Sequence, residues 1–238
     1  MSLNRIVFPL DYPSLADARA GAAKVAAYVG VLKVGLELFV KEGPAALAIG
    51  QEHGARVFAD LKLHDIPETV ERAIASLAPS GVRFVTVHAA GGAAMLSRAV
   101  ERAQRDTNGR LMVLAVTVLT SLDDADVRAQ GLPDRAGDHA LRLAKLAFEA
   151  GVRGFVCSPA EVRALRAELG PEAVLVTPGV RPAGSAAQDQ KRVATPAQAI
   201  ADGADYIVVG RPIRDAADPA LAAQAIAGEV AEGLAGRS

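Results

Sequence analysis

The stretch "RVFADLKLHDIPETV", residues 56–70, carries a strand and the start of a helix in immediate succession. Phe58, Asp60 and Lys62 alternate with Val57, Ala59, Leu61 and Leu63, and successive residues of a strand point to opposite faces. One face is therefore aliphatic and suited to packing against helices, while the other carries two charges. Beyond it, "DIPETV" reads as a first helical turn, with Pro67 pre-set for helical φ. Asp65 stands three positions before Glu68, a spacing that also fits a helix cap. A strand that passes directly into a helix is the repeating unit of an α/β fold.

The same unit recurs along the chain. Short aliphatic and β-branched runs stand at 5–11, 31–35, 56–63, 83–89, 111–120, 154–159, 173–180 and 206–213. Between them lie Ala-rich amphipathic segments of helical length, among them "SLADARAGAAKVAAYV" and "GDHALRLAKLAFEAG". Eight such units are the number that closes a parallel sheet into a (β/α)8 TIM barrel. An open doubly wound sheet satisfies the same pattern, and the barrel is the preferred expectation. No Ser/Gly-rich linker or shift in composition marks a boundary, so residues 1–238 are read as a single domain.

Hydrophobic residues make up 51% of the 238 positions and aromatics only 4%, which calls for a core of small and branched aliphatic side chains. The balance of 26 basic against 27 acidic residues leaves a net charge of −1, and no basic tract is present, which argues against a nucleic-acid partner. Apolar runs such as "LMVLAVTVL" (111–119) fall far short of the roughly 20 residues a membrane-spanning helix needs. The N-terminal stretch shows no basic segment followed by an apolar signal core. With a lone cysteine, Cys157, this leads to the expectation of a cytoplasmic protein without membrane association.

In a parallel barrel, functional groups gather at the carboxyl ends of the strands. Polar residues at those positions are Asp11, Lys33, Asp60 and Lys62, His88, Thr120 and Ser121, and Arg211. Charges that point into a barrel must sit at its rim or form a satisfied network, because an unpaired buried charge costs several kcal/mol or more. Lys33, on the neighbouring strand, is the natural partner for Asp60. His64 has no second His or Cys at a ligand spacing, so no metal is inferred, and Cys157 reads as a buried structural thiol. "RPAGSAAQDQKR" (181–192) reads as a loop over the site. Gly210 and Arg211 end the eighth unit, where such barrels often bind phosphate, and Arg181 and Gln190 could close over the same anion.

With "LDYPS", "LKVGLELF", "FADLKLHDIPETV", "VTVLTS", "TPGVRP" and "VVGRPI" in this order, the chain resembles the orotidine 5'-monophosphate decarboxylase family along nearly its full length. The strongest part of the likeness is D-x-K-x-x-D, here Asp60, Lys62 and Asp65, joined to Lys33. The resemblance implies a dimeric barrel that converts orotidine 5'-monophosphate to uridine 5'-monophosphate, the last step of pyrimidine nucleotide synthesis, with no cofactor and no metal. It implies that Lys62 donates a proton to C6, that Asp60 lies beside the substrate carboxylate, and that Lys33 holds Asp60 and contacts ribose. Asp65 is then supplied by the partner subunit, together with Ile66 and Thr69. The resemblance also implies that Asp11 binds ribose, that Thr120 and Ser121 address ribose and base respectively, and that Arg181, Gln190, Gly210 and Arg211 surround the phosphate.

Loss of carbon dioxide from C6 leaves an electron pair in an sp2 orbital that the ring carbonyls cannot delocalise, so the protein must stabilise that charge itself; a fixed ammonium suits the task. Two alternatives are a sugar-phosphate decarboxylase of the 3-keto-L-gulonate 6-phosphate type, which resembles the D-x-K-x-x-D strand but binds magnesium, and a phosphate-binding barrel without chemistry. A lysine at position 33 argues against the first, since it would repel a divalent metal. The charged array argues against the second.

Overall fold

A computed structural model describes residues 2–182 and 194–237. Every aliphatic run contains a strand: β1 (Ile6–Pro9), β2 (Val31–Val34), β3 (Arg56–Leu63), β4 (Phe84–His88), β5 (Met112–Val116), β6 (Gly154–Val156), β7 (Val174–Thr177) and β8 (Tyr206–Val208). Each pairs in parallel with the next. β8 returns to β1, with Ile6 opposite Ile207 and Val7 opposite Val208, so the sheet closes. Closure selects the (β/α)8 barrel over the open doubly wound sheet.

Several strands stop short of the runs that announced them. "LMVLAVTVLT" suggested pairing to Thr120, whereas β5 ends at Val116 because its neighbour β6 offers only Gly154, Phe155 and Val156 as partners. The β-branched residues beyond that point become loop, and those loops form the rim of the site.

The helices are α1 (Leu15–Val25), α2 (Leu36–Glu42), α3 (Ala48–Glu52), α4 (Pro67–Leu77), α5 (Ala93–Thr107), α6 (Asp124–Ala129), α7 (Ala136–Glu149), α8 (Val162–Leu169), α9 (Pro196–Ala201), α10 (Arg211–Arg214) and α11 (Pro219–Ala235). Local chemistry explains many of their starts. Ser14 accepts the Asp17 N–H ahead of α1, and Thr195 and Asp218 do the same for α9 and α11, each of which opens on a proline. In α4 the cap position belongs to Ile66 and no side chain caps it. Asp65 instead accepts the N–H of Ile66 at 2.7 Å, so it is not the helix cap that its spacing allowed.

Strand alternation divides the core in two. Outward residues such as Val57, Ala59, Val85, Val87, Val113 and Ala115 pack with Val70, Ile74, Leu96 and Ala99 of the surrounding helices. Inward residues Val7, Val31, Phe58, Phe84, Leu114 and Val176 fill the barrel. Phe58 meets Phe84 edge to face, ring centroids 6.0 Å apart, a favoured aromatic geometry. This apolar plug is the floor on which the next inward residues stand: Lys33 above Val31, Asp60 above Phe58, and Thr86 above Phe84.

Candidate active site

The rung Pro9–Lys33–Phe58 sets the height of Lys33 in the barrel, and the Leu10 N–H bonded to the Lys33 carbonyl at 2.8 Å carries the chain on to Asp11. Lys33 Nζ stands 3.1 Å from Asp60 Oδ2 and 4.0 Å from Asp11 Oδ1. Lys62 Nζ stands 2.8 Å from Asp60 Oδ1. One carboxylate thus receives a different ammonium on each oxygen, and charge alternates from Asp11 through Lys33 and Asp60 to Lys62. Burial alone would push the Asp60 carboxyl up; Lys33 and then Lys62 outweigh it and hold the group below the ordinary carboxylate range.

Lys62 is not in ordinary strand geometry. Its φ is +49°, a left-handed conformation that costs a non-glycine residue roughly 1–2 kcal/mol. The cause lies in the register with β4: Ala59 pairs with Val85 but Leu63 pairs with Val87, so β3 is bulged between them. Bulges next to active sites re-aim side chains, and this one turns the Lys62 ammonium back onto Asp60.

A cavity of about 260 Å³ opens above the array. Asp11, Lys33, Asp60, Lys62, Thr120, Arg181, Gly210 and Arg211 line it, together with an apolar set that includes Val118, Leu119, Pro178 and Val208. Gly210 is required by close approach: a Cβ there would lie 2.8 Å from Pro9 Cγ. Arg181 follows Val180, which is bridged to Ala194, and the Arg181 N–H donates to the Ala194 carbonyl at 3.0 Å.

Residues 4–226 match the model of the orotidine 5'-phosphate decarboxylase / HUMPS family. The chain belongs to this family. It is 58% identical over 223 residues to the orotidine 5'-phosphate decarboxylase of Anaeromyxobacter sp. (strain K), covering 94% of this chain and 96% of that one. It is 49% identical over 232 residues to the orotidine 5'-phosphate decarboxylase of Moorella thermoacetica, covering 95% and 92%. The crystal structure of orotidine 5'-phosphate decarboxylase from Lactobacillus acidophilus superposes with a TM-score of 0.84 at 36% identity, covering 94% of this chain and 98% of that one.

Four residues that the decarboxylase-family resemblance assigns to the site stand outside the cavity within one chain. Asp65, Ile66 and Thr69 are exposed beyond the end of β3, and Ser121 is exposed just past Thr120. Gln190 and most of the 181–192 segment lie outside the described residues. His88 is half-buried at the end of β4, its ring 5.5 Å from that of His64; burial, then His64 and Lys62, push it down. Cys157 is fully buried and its thiol is pushed up to about 12, chiefly by that burial, so it carries no nucleophile.

Sequence reading missed Thr86. Fully buried in the middle of β4, it accepts the Lys62 N–H at 2.9 Å and donates its hydroxyl to Asp60 Oδ1 at 3.0 Å. The available signal was its place between Phe84 and His88 on the inward face of "RFVTVHA", beside the strand that carries Asp60.

Proposed function

We propose that the protein decarboxylates orotidine 5'-monophosphate to uridine 5'-monophosphate. The observation that carries this reading is the Lys33–Asp60–Lys62 array opening into a cavity that Arg181 and Arg211 also line. The two arginines suit a phosphate, the apolar lining suits a pyrimidine ring, and the array then faces C6 and its carboxylate. The C6–carboxyl bond breaks, carbon dioxide leaves, and the electron pair stays on C6. The Lys62 ammonium stabilises that pair and then gives it a proton, which the amine recovers from solvent. Because these charges are fixed before the reaction, little reorganisation is needed. Phosphate binding by Arg181, Gly210 and Arg211 supplies further energy for aligning the ring.

The sugar-phosphate alternative requires carboxylates able to ligate magnesium. Here Lys33 Nζ sits between Asp60 and Asp11, and a cation in that position repels a second one.

The same proposal includes a homodimer in which Asp65, Ile66 and Thr69 of each subunit complete the other's site. Support comes from the exposed apolar surface on the second and third βα units: Ile66 is 66% exposed, Val40 80% and Leu36 49%. A partner packed over these side chains would remove their apolar area from water.

The test is a spectrophotometric assay of the purified protein with orotidine 5'-monophosphate in the presence of a chelator. Loss of the substrate absorbance is expected. No turnover, or turnover that requires added magnesium, would sink the reading.

A further inference from the structure

We propose that Thr86 is a positioning residue for this reaction, its single hydroxyl fixing both the Asp60 carboxylate and the backbone that presents Lys62. The inference rests on the decarboxylase reading and assigns a task that none of the charged residues performs. Between the rungs Ala59–Val85 and Leu63–Val87, three residues of β3 face one of β4. The backbone ladder cannot continue across such a mismatch, and the Lys62 N–H loses its regular carbonyl partner. Thr86 Oγ1 takes that N–H at 2.9 Å.

The same oxygen has one proton, and the geometry commits it to Asp60 Oδ1 at 3.0 Å. Both bonds lie on a side chain with no exposure to solvent, so water does not substitute for either. Asp60 Oδ1 is also the oxygen that holds Lys62 Nζ. A closed circuit results: Lys62 backbone to Thr86, Thr86 to Asp60, Asp60 to the Lys62 ammonium. Without the hydroxyl, the left-handed backbone at Lys62 loses its anchor and the carboxylate loses the donor that sets its plane. The ammonium then samples positions away from the reacting carbon, and displacements near 1 Å cost about 100-fold in rate.

The test compares wild type, Thr86→Val, which keeps the shape, and Thr86→Ser, which keeps the hydroxyl. For Thr86→Val the expected result is a kcat lower by about 10- to 100-fold, with KM for orotidine 5'-monophosphate and Kd for uridine 5'-monophosphate within about threefold of wild type. Thr86→Ser should recover most of kcat. A purely structural threonine would lower the unfolding temperature and leave kcat per folded site intact; that outcome, or a Thr86→Val kcat within twofold of wild type, overturns the proposal. If Thr86→Val does not fold, Thr86→Cys, close in size and a weak donor, is expected to show the same kcat loss, and wild-type kcat in that variant overturns the proposal. An inactive wild type defeats the decarboxylase reading itself, whereas an active wild type with an unimpaired valine variant defeats only the role of Thr86.

Discussion

Lys62 reaches back along its own strand to place its ammonium 2.8 Å from Asp60 Oδ1, and it does so from a backbone with φ of +49°. The conformation and the function are separable by substitution. Lys62→Ala and Lys62→Gly both remove the ammonium, and each should lower kcat by about 10⁴-fold or more. Their stabilities should differ in the reverse of the usual order: glycine adopts left-handed backbone without penalty, so Lys62→Gly should be more stable than Lys62→Ala by about 1 kcal/mol. Urea unfolding of the two variants measures the difference, and a more stable alanine variant would refute the strain at this position.

Asp60 is the counter-charge for two lysines whose side chains are 12% and 29% exposed. Asp60→Asn removes the counter-charge that the two ammonium groups share and should cost about 3 kcal/mol of stability at pH 7. The pH dependence has a definite sign. The folded-state pKa lies below the unfolded value of about 3.9, so the unfolded chain binds the proton first on acidification. The stabilisation is therefore present above about pH 4 and is lost as pH falls through the folded pKa. Stability curves of wild type and Asp60→Asn should converge below pH 4, and parallel curves down to pH 3 would contradict the assignment.

Asp65 is exposed, and its carboxylate accepts its neighbour's N–H at 2.7 Å. Asp65→Ala should change stability by less than about 0.5 kcal/mol while sharply reducing turnover. If the site is shared, mixing inactive Asp65→Ala with inactive Lys62→Ala subunits regenerates one native site per mixed dimer and restores activity. Mixed dimers without activity would confine each site to a single subunit.

Gly210→Ala tests the approach of the eighth loop to β1. The added Cβ would stand 2.8 Å from the Pro9 ring, whose position is fixed by pairing with Lys33. The loop must therefore give, at about 1–3 kcal/mol, carrying Arg211 with it. A raised KM with a smaller change in kcat is expected from steady-state kinetics. Unchanged KM would mean that Pro9 yields instead.

Much of the barrel was legible because the inward and outward strand residues differ in kind. Val57 and Ala59 against Phe58 and Asp60 already give the two faces of β3, and the eightfold recurrence favours a barrel, whereas closure itself is settled only by the pairing of β8 with β1. The pairing of Asp60 with Lys33 followed from adjacency of strands. The left-handed turn at Lys62 did not, because it arises from a register mismatch with β4 that no single strand encodes. Thr86 was hidden for the same reason: a threonine in "RFVTVHA" is an ordinary β-branched strand residue until the bulge opposite leaves it an amide to accept. Asp65 shows the converse, a residue whose spacing suited a cap and whose bond goes to its immediate neighbour.

Among the described residues, the lining of the cavity sets four cations, Lys33, Lys62, Arg181 and Arg211, against two carboxylates, Asp11 and Asp60. A protein with an overall charge of −1 therefore gathers more cationic than anionic described residues around the mouth of its barrel. Low-dielectric walls focus such a field outward and raise the encounter rate of an anion by roughly 10-fold or more. A multiply charged anion is thus drawn toward the cavity before any contact forms. Because the Debye length shrinks to about 3 Å in 1 M salt, capture should slow with ionic strength while the chemical step, shielded inside the closed array, proceeds at its own pace.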